Sequence, residues 1–507
     1  MGLAERNNDM GFTRPLFLFL FFPLAVAGIT VCRCLEKRFS LLLHLRLADW
    51  ALVGGSLLFY GCAVFDGIYR LFLYALAIWA AGVAIGRLKA GHYVFPVFRE
   101  KGTGVQVWRH IPWSLTALWI SVILVLAWLF RFKYWNFVAP IWNAIFQSNL
   151  SASSSLAPLG ISFITFSAVS YLVDIHRGLA PAGSFLDCLL YLTFFPKVVS
   201  GPIVLWRDFH PQIFGRRTDL EDAVVGVERI MIGFIKKVLL ADLFFAGIAE
   251  VNFAGSRAGL DVPSAFLGIF LYMLEIYYDF AGYSDIAIGL GRLFGFRFQE
   301  NFNFPYRSRS ITEFWRRWHI SLGTWFREYV YIPLGGSHQS LRRTLWNLGI
   351  VFALTGIWHG AGWNYILWGG INGFFVILER IVRDKNWYRK IPNILKWAGT
   401  MLVVMLFWEL FRFQSLSALF QWLALVHGGD IVFSWQYVLD RRLIFLIAVG
   451  VLGATVLGNE CVQNVWRHAV ETKPGLFLQE SILLVLFFLA VITMVSSGYS
   501  PFIYFQY

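Results

Sequence analysis

The chain has 507 residues, 58% of them hydrophobic and 14% charged, with a formal net charge of +13. A soluble globular chain carries roughly 25% charged residues, and no compact soluble fold hides this much apolar surface from water. A soluble enzyme or binding module is therefore excluded, whereas lipid accepts such a chain because helices satisfy their own backbone polar groups.

The apolar residues come in blocks of about the length that crosses a hydrocarbon core, roughly 20 residues. In chain order they predict spans at 16–32, 51–65, 68–86, 111–130, 156–173, 266–290, 345–358, 366–378, 395–411, 443–457 and 482–495. Weaker blocks lie at 185–205, 230–249 and 416–426. The reading is an all-α, polytopic transmembrane bundle of about eleven to fourteen embedded segments. Gly and Pro interrupt some blocks, which predicts re-entrant or interfacial pieces around a central cavity. No stretch is long and polar enough to form a soluble domain. One membrane domain over 1–507 is expected, with N-terminal peripheral helices at 1–150, a core carrying the chemistry at 151–380 and C-terminal helices at 381–507.

The basic residues sit in short loops between apolar blocks, where they orient helices, so nucleic acid is not an expected partner. Arg33, Lys37, Arg38 and Arg46 follow the first span, and Arg87, Lys89, Arg99, Lys101 and Arg109 follow the third. Two spans separate these loops, so they share a side, expected to be cytoplasmic. Cys32-Arg33-Cys34 follows the first span in place of a small-residue cleavage site, which predicts an uncleaved helix. Five scattered cysteines form no disulfide framework, and the lone Cys-x-Cys lacks a second ligand pair, so no metal site is expected.

The stretch 299–343 breaks the apolar rule. Asn301-Phe302-Asn303-Phe304-Pro305 has loop chemistry. Residues 311–332 then mix Glu313, Arg316, Arg317, His319, Arg327 and Glu328 with Phe314, Trp315, Trp318, Trp325, Phe326 and Tyr329. Neither a plain transmembrane helix nor a plain soluble one tolerates that mixture. A single, partly embedded helix, capped by Ser310 or Thr312 and lining a polar cavity, is expected.

Intramembrane histidines carry the candidate chemistry. His359 ends an apolar block within Gly356-Ile357-Trp358-His359-Gly360-Ala361-Gly362, where the glycines leave room for a substrate or for another backbone. An imidazole there can accept a hydroxyl proton near neutral pH. The alternative is a histidine that ties two helices together. His319, beside Arg316 and Arg317, is the second candidate, with a plain interfacial role as its alternative. Glu275 and Asp279 lie four apart on one helix face and need cations, for which the arginines of the 299–343 stretch are the expected source. Asp174 is read as an interfacial helix end. Lys197 lies in a Gly/Pro-broken block and is read as part of a re-entrant loop. A dinucleotide fingerprint, a Walker loop and a Gly-x-Ser-x-Gly elbow are all missing from the sequence. Thr324 and Asn364 stand five residues after the two histidines, so the His-x4-Asp pattern of soluble acyltransferases is also missing.

At Tyr277-Tyr278-Asp279-Phe280-Ala281-Gly282-Tyr283-Ser284-Asp285, Asn301-Phe302-Asn303-Phe304-Pro305-Tyr306, Phe314-Trp315-Arg316-Arg317-Trp318-His319, Tyr331-Ile332-Pro333-Leu334-Gly335-Gly336 and Thr355-Gly356-Ile357-Trp358-His359-Gly360, the sequence resembles the membrane-bound O-acyltransferases. Within that family it is similar to the bacterial branches of alginate O-acetylation and teichoic acid D-alanyl transfer. The likeness extends to 158–174, 195–202 and the terminal Phe502-Ile503-Tyr504-Phe505-Gln506, while the polar leader over 1–13 departs from the alginate pattern. The resemblance implies that His359 holds the catalytic position and His319 the second active-site position, with no permanently bound cofactor. It implies acetyl-CoA or another acyl thioester as a donor arriving from the cytoplasm, with Arg316, Arg317 and Trp315 as donor-binding residues. It further implies a bacterial inner-membrane location and a periplasmic acetyltransferase of SGNH type as partner. It implies an exopolysaccharide, alginate, as the acceptor, with another surface glycan, cellulose or peptidoglycan, as the alternative. A transporter or channel with Asp279 and the histidines as a proton path is the rival class.

Overall fold

The computed structural model describes residues 11–39, 44–65, 67–90, 94–99, 106–110, 113–153, 157–216, 219–258, 260–413, 415–426, 438–497 and Phe502. Most of the polar leader and of the terminal aromatic motif therefore lies outside the described residues. The chain is a multi-pass helical membrane protein. Among the described residues, 8 helices are long and apolar enough to cross a membrane: Phe17–Arg38, Gly67–Ala90, Trp113–Phe146, Val262–Leu293, Trp363–Val382, Asn393–Arg412, Arg441–Gly458 and Lys473–Ser496. Leu47–Ala63 is a shorter apolar helix beside them. The β structure among the described residues is confined to one antiparallel hairpin, Val94–Arg99 against Gln106–His110, and two isolated bridges.

Several predicted blocks are shorter or broken for local reasons. The 156–173 block becomes the 17-residue helix Ile161–Arg177, bounded by Gly160 and Gly178, both left-handed. The 185–205 block stops at Phe194 and restarts as the four-residue turn Phe195–Val198, with Pro196 in its first turn. Its first helix is set by Ser184, which caps the Asp187 backbone N–H while the Asp187 carboxylate accepts from Ser184 N. Lys197 in this broken segment is buried, donates to Ser167 Oγ at 3.0 Å and lies 4.2 Å from the Tyr191 ring centre.

The helix Val262–Leu293 runs through the middle of the protein. Asp261 caps its start by accepting from Ser264 N, and Pro263 occupies its first turn. Helix Leu220–Phe234 lies along it so closely that a Cβ on Gly233 would meet the Gly282 oxygen at 2.6 Å. Such contact between backbones is how helices associate where lipid supplies no hydrophobic drive. The buried apolar residues form two clusters. One joins the N-terminal helices to Phe163–Ile213, and the other gathers residues 241–281 with Tyr306–Trp318 and Tyr365–Trp422. The central helix contributes to both. Both basic loops meet one connector: Arg46 bonds Ser184 and Asp187, and Lys89 approaches Gly178. The two loops thus share a side.

Candidate active site

The stretch 311–332 is not one helix. Helix Ile311–Arg317, capped by Ser310 through Glu313 N, ends where Trp318 forms an antiparallel bridge with Phe302. His319 then takes a left-handed backbone, φ 47°, and starts the next helix, Ile320–Phe326. A left-handed non-glycine residue costs on the order of 1–3 kcal/mol and persists only where its surroundings hold it. Here the Asn301–Phe304 loop does so: Ile320 N donates to Asn301 O at 2.9 Å, and Asn303 N to Arg317 O at 2.9 Å. Charges and aromatics spaced along 311–332 are therefore distributed by a sharp corner that periodicity does not reveal.

The corner delivers the His319 side chain into the interior, 1% exposed, with its ring 4.7 Å from that of Phe280 and edge-on to it. Asn301 Oδ1 lies 3.1 Å from His319 Nδ1 and accepts from Ser321 Oγ at 2.8 Å and Ser321 N at 3.3 Å. Its amide nitrogen donates to Ser284 Oγ at 3.0 Å. The Ser321 backbone N–H fixes which end of the amide is the oxygen, and an oxygen only accepts. The imidazole proton therefore sits on Nδ1, leaving a lone pair on Nε2. That Nε2 is buried and has no hydrogen-bond partner among the described residues.

His359 is the last residue of helix Leu341–His359 and is also buried. Its ring stands at a steep angle to Trp358 at 4.7 Å, Trp368 at 4.9 Å and Phe411 at 5.1 Å. Trp358 also lies 6.2 Å from His319, so one indole neighbours both imidazoles. The glycines around His359 make room for protein. A Cβ on Gly356 would meet Tyr365 O at 2.5 Å, and one on Gly360 would meet the Tyr365 ring at 2.2 Å. This lets helix Trp363–Val382 fold back against the His359 helix and bring Trp368 to the imidazole. The indole nitrogens of Trp315, Trp358 and Trp368 are buried donors without partners among the described residues. Two imidazoles and several unused N–H groups thus meet at the seam between the two apolar clusters. That constellation can hold a carbonyl and take a proton from a hydroxyl.

Residues 113–408 match the membrane-bound O-acyltransferase family, a span containing both histidines, Asn301, Trp358 and Trp368. The chain belongs to the membrane-bound O-acyltransferases. This acyltransferase is 37% identical to the probable alginate O-acetylase AlgI of Pseudomonas putida over 77% of its own length and 84% of the relative's. It is 36% identical to the probable alginate O-acetylase AlgI of Pseudomonas aeruginosa over 92% of its length and 84% of the relative's. It is 31% identical to the peptidoglycan O-acetyltransferase of Helicobacter pylori, over 80% of its length and 78% of the relative's. The family uses an acyl donor as a substrate.

The other sequence candidates fall differently around the acyltransferase centre. Trp315 packs edge-on to Trp368 at 5.5 Å, in the second ring of aromatics. Arg317 pairs with Glu313 at 2.9 Å and donates to Asn303 O at 3.1 Å, bracing the corner, while Arg316 is exposed. The expected pairing of the central carboxylates with the 299–343 arginines is wrong. Asp279 pairs with Lys237 at 2.7 Å, and Asp285 with Arg229 at 2.8 Å and Lys236 at 2.6 Å. Glu275 lies in the field of Lys237 and Arg412. The cations of Asp279 and Asp285 come from the neighbouring helical stretch because close helix packing aligns it with the carboxylates. Asp174 lies in the last turn of helix Ile161–Arg177, where it is fully buried and accepts from Tyr329 OH at 2.8 Å and Arg207 N at 3.1 Å. Asn301, the partner of His319, is the site residue that pattern reading passed over, and its signal was an amide opening a loop that precedes a buried histidine.

Proposed function

We propose that the chain is a bacterial inner-membrane O-acetyltransferase that takes acetyl from cytoplasmic acetyl-CoA and passes it across the membrane for O-acetylation of an exopolysaccharide, alginate. In this reading residues 151–380 carry the chemistry, and 1–150 and 381–507 are supporting helices. The observation that carries it is the pair of buried imidazoles that share Trp358 as a neighbour, within the family's matched span. His359 acts as general base: it takes the proton of an incoming hydroxyl as the oxygen attacks the thioester carbonyl carbon, and the C–S bond breaks to release the CoA thiolate. His319 orients the reacting group. Its Nδ1–H is committed to Asn301, so Nε2 can only accept, and polarising the carbonyl falls to indole N–H groups such as that of Trp368. The exposed Arg316, with Arg317 and Trp315 behind it, receives the donor's phosphates. A periplasmic acetyltransferase of SGNH type is the acceptor or relay on the far side. Peptidoglycan is the second acceptor reading, favoured by the Helicobacter pylori relative.

The test is turnover of labelled acetyl-CoA by the purified protein in lipid, wild type beside His359→Ala. Turnover by the wild type that vanishes in the mutant is expected. Full transfer by a folded His359→Ala protein overturns the assignment.

A further inference from the structure

The end of the His359 helix is held from outside by a residue of the N-terminal half. Helix Trp113–Phe146 is interrupted by a π-helical turn at Phe130–Tyr134. Such turns insert one extra residue and swing side chains out of the regular helical rows. From this turn Tyr134 OH donates to Ile357 O at 2.8 Å. Lys133 Nζ donates to Trp358 O at 2.5 Å, to His359 O at 3.2 Å and to Ser162 Oγ at 3.2 Å.

These contacts fill a specific need. The last carbonyls of a helix have no partner within it. Helix Leu341–His359 gains none from a glycine turn, because Gly360 continues in extended backbone, φ −166°. Instead three consecutive carbonyls, those of Ile357, Trp358 and His359, are met by Tyr134 and Lys133. An ammonium has three N–H donors, and all three of Lys133's are used on two of these carbonyls and Ser162. Its charge faces the negative end of the helix dipole. Among the described residues no carboxylate lies within ion-pair distance of it. The same long helix grips the other side of the turn, where Phe137 packs edge-on to Trp363 at 5.6 Å. The backbone that carries His359 is thus clamped on both sides of Gly360–Gly362 by one helix.

We infer that Lys133, seconded by Tyr134, is a positioning residue for the acyl-transfer centre: it caps the last carbonyls of the His359 helix and thereby fixes the imidazole relative to His319 and the donor. The inference rests on the reading of His359 as the base. A helix end released from its cap frays in its last turn, and a shift of about 1 Å in a reacting group costs up to about a hundredfold in rate. Lys133 touches neither reactant in this scheme, so its loss lowers kcat and leaves donor KM nearly unchanged.

The experiment compares wild type, Lys133→Met, Lys133→Arg, Tyr134→Phe and His359→Ala in one acetyl-CoA turnover assay in lipid. Each variant is first checked for a monodisperse profile and an unchanged melting temperature. Lys133→Met is expected to lower kcat about tenfold or more, with KM for acetyl-CoA within about twofold. Lys133→Arg, which keeps the charge and the donors, recovers most of that loss, and Tyr134→Phe loses less than Lys133→Met. If Lys133→Met does not fold, Lys133→Arg and Tyr134→Phe decide: a Tyr134→Phe protein with lowered kcat and unchanged KM supports the clamp, and one with wild-type kcat overturns it. A folded Lys133→Met protein with wild-type kcat, a loss confined to KM, or an arginine no better than methionine also overturns it. If Lys133→Met is fully active while His359→Ala is dead, the clamp alone fails. If His359→Ala is active, the reading of the base fails.

Discussion

His319 hangs on hydrogen bonds, whereas His359 is enclosed by rings. The first takes its tautomer from Asn301, its backbone from a strained corner and its neighbours from Ser321 and Ser284. The second stands among Trp358, Trp368 and Phe411, and the hydrogen bonds at its helix end go to its backbone. A polar cradle fixes which nitrogen carries the proton, as an orienting residue requires. An aromatic box fixes the plane of a ring, as a base aimed at one reacting group requires. The proposed scheme gives the two residues of the same type different work to match.

The strongest way to break the comparison is His359→Ala, expected to lower acetyl transfer by about two to four orders of magnitude with the fold intact by thermal melt. Asp279→Ala reaches both arms through the central helix. It removes one of the two carboxylates, Asp279 and Asp242, that pair with the buried Lys237 ammonium among the described residues. A loss of about 3 kcal/mol in stability is expected, read as a lowered melting temperature, and pairing it with Lys237→Met should restore much of that. Asn301→Leu tests the polar cradle alone. Turnover should fall by up to about a hundredfold, and the same substitution in a His319→Ala background should add little, since the amide acts through that imidazole. Arg317→Ala removes an outer brace of the corner, and less than about 1 kcal/mol of stability should be lost. An Arg317→Ala loss as large as that of Asn301→Leu would remove the distinction between cradle and brace.

The helical class, the long spans and both histidines were legible in the sequence, because each is a local property. A run of apolar side chains has to find lipid or protein, and an imidazole inside one is costly unless it is used. Breaks were legible where Gly or Pro marks them, as at Gly160, Gly178 and Pro196. The corner at Trp318–His319 carries no such mark. It is imposed by the Asn301–Phe304 loop pairing with it, a contact set by the tertiary fold. Lys133 was overlooked although a lysine within a 34-residue apolar helix is itself a signal of buried use.

The sequence by itself determined the solvent of this protein, its helical class, the family motifs and the residue types available for proton transfer. Only the tertiary structure decided which partners those residues take. Asp279 turned to Lys237 and not to the arginines nearer the histidines, His319 to Asn301, and the His359 helix to Lys133 more than two hundred positions away. The physical reason is that a buried charge or helix end must be satisfied wherever a donor happens to be packed against it. Packing follows surface shape, here the glycine contacts between helices, and sequence spacing does not encode it.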